Sequence, residues 1–195
     1  MTVFDVIVPA GGAASRLGGA DKPGLDVGGR TLLDRVLAAC ADARTTVVVG
    51  PARAVARPVH WAREEPPGGG PVAAVAAGLA AVTADRVLLL AADLPFLDGR
   101  TVHRLLGALD DSAAEAAVLV DADGRDQPLA GAYRTAALRA SLAALGSPDG
   151  RSLRRLTAPL RTVRLADTDA AAHDCDTWEE LARARDRELR ERAGR

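Results

Sequence analysis

The sequence predicts an α/β fold, a Rossmann-like three-layer sandwich with a mostly parallel sheet. Two observations predict it. Short apolar runs suited to buried strands alternate along the chain with segments whose apolar residues recur at helical spacing, and such alternation implies a parallel sheet with helices on its faces. The first of these runs also ends directly in glycine and a later one in aspartate, which places loops at their carboxyl ends.

The elements follow in order. Residues 3–9 (VFDVIVP) form a strand that runs into Gly11-Gly12. Residues 31–41 (TLLDRVLAACA) place Leu32, Leu33, Val36, Leu37 and Cys40 on one helical face, with Thr31 as the cap. TTVVVG at 45–50 is a strand, residues 71–82 are a helix after a Gly-Pro hinge, and RVLLLAAD at 86–93 is a second core strand. Beyond Asp98, the expected cap, a helix over 100–109 leads to the strand AAVLV (116–120), a turn at DADGRD, and PLAGAYR (128–134). A helix over 136–145, a loop at 148–152, a short strand TVRLA (162–166) and a charged helix over 177–192 with a solvated outer face complete the chain. No repeat or long linker divides it, so residues 1–195 are expected to form a single domain.

Composition narrows the function. The chain of 195 residues is 48% hydrophobic and 26% charged with a formal net charge of -1, an ordinary globular balance. A nucleic-acid binder would carry a basic excess to neutralise phosphates, so no nucleic-acid partner is expected. Cys40 and Cys175 stand far apart in no ligand spacing, which predicts neither a disulfide framework nor a zinc site. The N-terminus lacks a basic leader, and no apolar stretch approaches the roughly 20 residues of a membrane span. No membrane association and a cytoplasmic location are therefore expected. Against a background rich in Ala and Arg, Lys22 is the single lysine and Gln127 the single glutamine, and asparagine is absent. Arginine cannot copy the compact ammonium of lysine against phosphate, which gives Lys22 weight.

Open parallel sheets bind ligands at the carboxyl ends of their strands, so a site is expected at residues 9–22, 50, 64–71 and 93–96. The segment PAGGAASRLGGADKP (9–23) combines four glycines with Arg16 and Lys22. Glycines let backbone N–H groups converge on one anion while the two cations neutralise it, which is a phosphate-binding composition. Its spacing matches neither the Walker loop nor the dinucleotide fingerprint. Asp93 follows six apolar residues and precedes Leu-Pro, so its carboxylate lies at the ligand edge of the sheet and suits Mg²⁺. REEPPGGGP (63–71) is a second loop at a strand end, where Glu64 or Glu65 suits ribose hydroxyls or the N–H edge of guanine.

These motifs resemble those of the molybdenum cofactor guanylyltransferases and their relatives in the glycosyltransferase-A-like (GT-A-like) nucleotidyltransferase superfamily. The hallmark loop has the form L-A-G-G-x-x-x-R-M-G-x-x-K. Pro9-Ala10-Gly11-Gly12 stands in its opening, Arg16-Leu17-Gly18 in its middle and Asp21-Lys22-Pro23 at its close. Gly70-Pro71-Val72-Ala73 is similar to the family's G-P-L-A, Asp93-Leu94-Pro95-Phe96 to its D-x-P-f, and Gln127-Pro128-Leu129 to its Q-P-L. Asp176-Thr177-Trp178-Glu179-Glu180-Leu181 is similar to the terminal N-T-P-E-D-L. The resemblance spans nearly the whole chain. It departs from the pattern at Pro9, at Gly50, where some members have asparagine, and at Asp176, where the family has asparagine.

The resemblance implies a GT-A-like nucleotidyltransferase fold and a Mg²⁺-dependent transfer of GMP from GTP to molybdopterin with release of pyrophosphate. Catalysis would rest on Arg16, Lys22 and Asp93. The nucleotide would be held by Pro9, Ala10, Gly11, Gly12, Lys22, Gly50, Glu65 and Asp93, and the metal by Asp93 and Asp176. GTP and molybdopterin are the implied small-molecule partners, and a molybdoenzyme or its chaperone the protein partner by analogy. Two alternatives stay open: cytidylyl or other nucleotidyl transfer to molybdopterin or another small phosphorylated acceptor, and a non-catalytic nucleotide-binding adaptor.

Overall fold

The structure is a computed structural model that describes residues 2–11 and 21–193. Seven strands form one sheet in the order β5-β4-β1-β6-β8-β7-β9, with β1 at Asp5–Pro9, β4 at Thr45–Val49, β5 at His60–Ala62, β6 at Arg86–Leu90, β7 at Ala116–Val120, β8 at Asp126–Arg134 and β9 at Thr162–Ala166. Neighbours pair parallel except where β8 meets β6 and β7. The mostly parallel sheet is thus present, and β8 is its antiparallel member. A two-residue ladder of β2 (Asp26–Val27) and β3 (Arg30–Thr31) stands apart from it.

Alternate residues of the central strands feed two cores, as the period of two requires. Val6, Val8, Val48, Leu88 and Leu90 pack with residues of α1 (Leu32–Ala39) and α3 (Gly99–Asp110). Ile7, Val47, Val49, Val87 and Leu89 face α2 (Pro71–Leu79), α4 (Thr135–Leu145) and α5 (Leu153–Thr157). Each fully buried Val, Ile or Leu contributes about 1.5–3 kcal/mol relative to exposure, so burial on both faces explains why these strands read as continuous apolar runs. α2 approaches β1 closely because Gly78 has no side chain, and a Cβ there would lie 2.5 Å from Ile7 Cγ2.

The caps agree with the sequence reading. Thr31 Oγ1 accepts from the Asp34 N–H at 3.0 Å, and Asp98 Oδ1 accepts from the Thr101 N–H at 2.8 Å, so Asp98 caps α3 and leaves Asp93 for other work. The charged C-terminal helix α6 (Trp178–Ala193) docks through Leu181 and Ala184 onto Val27, Leu32 and Cys175. No helix among the described residues is long and apolar enough to cross a membrane.

At the opposite end of the sheet from the strand carboxyl termini, Asp5 is fully buried. Its carboxylate accepts from Arg44 Nε and Nη2 at 3.2 and 2.8 Å, and from the Thr83 and Ala84 N–H groups at 2.7 and 2.8 Å. Burial alone raises a carboxyl pKa, but these hydrogen bonds and the Arg44 charge outweigh it and hold Asp5 below its ordinary value. Asp5→Ala should therefore cost about 2–4 kcal/mol of unfolding free energy in urea titrations at pH 7, because two backbone donors lose their partner. A lowered folded pKa contributes stability above the unfolded value of 3.8 and loses it as pH falls toward the folded value. The gap between wild type and Asp5→Ala should accordingly shrink below about pH 4.

Candidate active site

The carboxyl ends of β1, β4 and β6 open onto a cleft of about 820 Å³, within the range of small-molecule sites. Pro9, Ala10 and Gly11 line it from β1, Gly50 and Pro51 from β4, and Ala91, Ala92 and Asp93 from β6. Leu129 of antiparallel β8 enters from the side, its carbonyl accepting the Ala91 N–H at 2.8 Å. Gly70 and Pro71 at the start of α2 close the far wall.

Gly50 is fixed by its surroundings. Its φ of 152° lies where L side chains rarely go, and a Cβ would stand 2.9 Å from the Ala10 carbonyl carbon and the Gly11 nitrogen. The backbones of the β1 and β4 ends therefore touch, joined by Ala10 N–H to Val49 O at 2.8 Å. Any contact that Gly50 itself makes comes from its backbone.

Lys22 stands in a 3-10 turn (Lys22–Gly24) that closes through Gly24 N–H to Asp21 O at 2.9 Å and Leu25 N–H to Lys22 O at 3.1 Å. Its ammonium forms ion pairs with Asp93 and, at 2.6 Å, with Asp176. Burial would lower the Lys22 pKa, but the charges of Asp93 and Asp176 and their hydrogen bonds raise it above its usual value. The only lysine of the sequence thus bridges the two carboxylates singled out for metal binding.

Asp174 joins them, a residue not among the two expected to hold the metal. Asp93, Asp174 and Asp176 each offer an oxygen within 4.8 Å of the others. Three elements bring this late segment to the β6 end. Asp167 accepts from the Ala171 and Ala172 N–H groups at 2.8 and 2.9 Å, folding the chain back after β9. Cys175 buries its thiol, its pKa pushed up to about 11 by burial and then by Asp93. Thr177 and Glu180 form a capping box, Glu180 N–H to Thr177 Oγ1 at 3.2 Å and Thr177 N–H to Glu180 Oε2 at 2.8 Å, which starts α6. Asp174 is exposed on the cleft side, yet partial desolvation of its carboxyl and its two acidic neighbours hold it above its ordinary value, against the pull of Lys22. Three hard oxygen donors whose mutual repulsion one ammonium only partly relieves fit Mg²⁺.

Among the described lining residues, Glu64, Asp93, Asp174 and Asp176 oppose Lys22 and Arg63. The acidic residue of the second loop that faces the cleft is Glu64. Glu65, expected as the nucleotide contact, is exposed and does not line it. Glu64 is turned inward and its Oε1 accepts from the Gly68 N–H at 3.3 Å, so its neighbour in the chain points elsewhere. Arg16 and Gly12 lie outside the described residues. Gln127, singled out by its rarity, is also absent from the cleft lining; its Nε2 donates to Asp121 at 2.7 Å and steadies the β7–β8 turn.

Residues 6–167 match the family model of the MobA-like NTP transferase domain. The chain belongs to this family of nucleotidyltransferases. It is 35% identical over 167 residues to a molybdenum cofactor guanylyltransferase of Bradyrhizobium sp. (strain ORS 278), covering 80% of this chain and 78% of that one. It is 32% identical over 194 residues to a molybdenum cofactor guanylyltransferase of Rhodobacter capsulatus, covering 96% and 97%. Its fold is similar to that of the molybdopterin-guanine dinucleotide biosynthesis protein A from Archaeoglobus fulgidus, with a TM-score of 0.74 at 20% identity over 95% of this chain and 99% of that one. The sequence signal for Asp174 is its place two residues before Asp176, in the string Asp174-Cys175-Asp176. Residues two apart in an extended segment share a side, and that spacing is the signal by which Asp174 was open to detection.

Proposed function

We propose that this protein transfers GMP from GTP to molybdopterin, releasing pyrophosphate and forming molybdopterin guanine dinucleotide, with Mg²⁺ as cofactor and the cytoplasm as its location. The observation that carries the reading is the meeting of Lys22 with three carboxylates at the strand ends of a chain whose curated relatives share the name molybdenum cofactor guanylyltransferase.

In this reading a phosphate oxygen of the acceptor attacks the α-phosphorus of GTP in line. The bond from that phosphorus to the bridging oxygen breaks, and pyrophosphate leaves. An ionised phosphate nucleophile needs no general base at neutral pH, so the work is to align two anions and to stabilise charge on the leaving group. Lys22 donates its ammonium hydrogens to the triphosphate, and Arg16 shares that task. Backbone N–H groups of the glycine-rich loop orient the phosphates. Asp93 and Asp176, with Asp174, hold Mg²⁺, which when bound offsets the negative charge of cleft and triphosphate together. The described lining sets four carboxylates against two cations, a balance that such a cation would offset.

Glu64 then takes the contact expected of Glu65. A carboxylate accepts from both N1–H and the amino group of guanine, whereas an amide turns a donor toward one of them. Glu64→Gln should lower kcat/KM for GTP roughly 10- to 100-fold, about 1.4–3 kcal/mol, with little change for ATP. The transfer itself is tested by pyrophosphate release from each of the four NTPs with Mg²⁺ and molybdopterin. Release with GTP alone is expected. Release with CTP alone would keep the chemistry and overturn the base assignment, and nucleotide binding without release from any NTP would favour a binding protein.

A further inference from the structure

Arg53 lies beyond the β4 end and does not line the cleft, yet its side chain is only 14% exposed. Ordering a long arginine costs rotamer entropy, so its contacts must hold it. Nη1 pairs with the Asp21 carboxylate, Nη2 donates to Ala10 O at 3.3 Å, and Nε and Nη2 each reach Pro51 O at 3.4 Å. Those partners have distinct places. Ala10 follows β1 and Pro51 follows β4, two strand ends already joined through Ala10 N–H and Val49 O. Asp21 heads the turn that carries Lys22. One planar guanidinium therefore ties the rigid edge of the sheet to the turn bearing the cleft's ammonium group.

We propose that Arg53 is a positioning residue for the triphosphate, acting through Asp21: it holds the Lys22 turn against the β1 end before nucleotide arrives. The proposal rests on the nucleotide-transfer reading above. Asp21 is 63% exposed, and an ion pair with an exposed partner contributes little to overall stability, so the purpose of the tether lies in binding. Fixing the turn in advance removes an ordering cost from nucleotide association. The Arg fork reaches Asp21 through Nη1 and Ala10 through Nη2, a spread of donors that the compact ammonium of a lysine copies only in part.

The test measures GTP binding to the full chain by calorimetry with Mg²⁺, beside the thermal midpoint of each variant. Asp21→Asn is the decisive variant, because removing an exposed negative charge near a triphosphate site should tighten GTP binding if charge alone matters. The tether predicts the opposite sign, a Kd raised about fivefold or more with the thermal midpoint nearly unchanged. Arg53→Ala should raise Kd about tenfold, and Arg53→Lys should recover only part of it. In steady state these losses should appear in KM for GTP and leave KM for molybdopterin unchanged. Asp21→Asn binding GTP as tightly as wild type, or tighter, would overturn the proposal even if Arg53→Ala fails to fold. Absence of GTP binding to the wild-type protein would instead overturn the functional reading, and the proposal with it.

Discussion

Asp93→Asn is expected to lower kcat/KM for GTP by about 10³-fold, close to 4 kcal/mol of transition-state stabilisation, while leaving unfolding free energy within about 1 kcal/mol of wild type. The two halves of this expectation come from the same geometry. Asp93 is one of three carboxylates whose oxygens lie within 4.8 Å of each other, and converting it to an amide removes a charge from a self-repelling cluster. Lys22 loses one partner but keeps Asp176 at 2.6 Å. Stability is therefore nearly balanced, whereas Mg²⁺ bound as proposed would lose its ligand at the β6 strand end. Asp174→Asn and Asp176→Asn should each cost less, since either leaves Asp93 and one further carboxylate in place. Steady-state kinetics over a range of Mg²⁺ concentrations, beside urea unfolding, checks both halves; an unstable Asp93→Asn would mean that the carboxylate serves the fold.

Lys22→Ala should have the second largest effect, lowering kcat/KM about 10²- to 10³-fold through loss of a cation on the triphosphate. Metal binding should move the other way. The Lys22 ammonium neutralises Asp93 and Asp176, so its removal leaves the three carboxylates with more uncompensated charge and should tighten Mg²⁺ binding. By linkage, a cation that binds the folded state more tightly stabilises it more, and Mg²⁺ should raise the thermal midpoint of Lys22→Ala more than that of wild type. Lys22→Arg should not restore turnover, because a planar fork does not fit where a compact ammonium bridges two carboxylates. A variant that is slower yet more responsive to Mg²⁺ separates this account from simple misfolding.

The elements that the sequence made legible were those with strong local signals. β1, β4, β6 and β7 are buried on both faces, so continuous apolar runs announced them. α1 and α3 carried both a cap and a helical stripe. β5 was missed because it is a three-residue outer strand, with His60 exposed and Trp61 and Ala62 only partly buried. α5, five residues long after the 148–152 loop, offers too few turns for a period to show. β8 begins two residues earlier than the apolar pattern implied, since Asp126 and Gln127 pair with Val120 and Leu119 across a register shift.

The same division holds at the site. Lys22 and Asp93 each sit in a distinctive local string, and each reaches the cleft. Asp174 has only the short string Asp174-Cys175-Asp176, and its meaning depends on a β9 turn pinned by Asp167 and on α6 docking through Leu181 and Ala184. Those are tertiary facts, and no local spacing to Asp93 encodes them. Glu64 and Glu65 are chemically identical neighbours, and the fold of their loop, in which Glu64 accepts from the Gly68 N–H, turns Glu64 to the cleft. Arg53 is one arginine among many in an arginine-rich chain, and its partners, Ala10 and Asp21, become significant only once the β1 and β4 ends are seen to touch.

Transfer of GMP is followed most directly by tracing phosphorus from GTP into product. The protein is incubated with Mg²⁺, molybdopterin and GTP labelled at either the α- or the γ-phosphate, and the products are separated. The α-label is expected to enter a molybdopterin dinucleotide and the γ-label to appear only in pyrophosphate, with both slowed about 10³-fold in Asp93→Asn. Transfer of γ-label to the acceptor, or equal transfer of α-label by Asp93→Asn, would contradict that expectation.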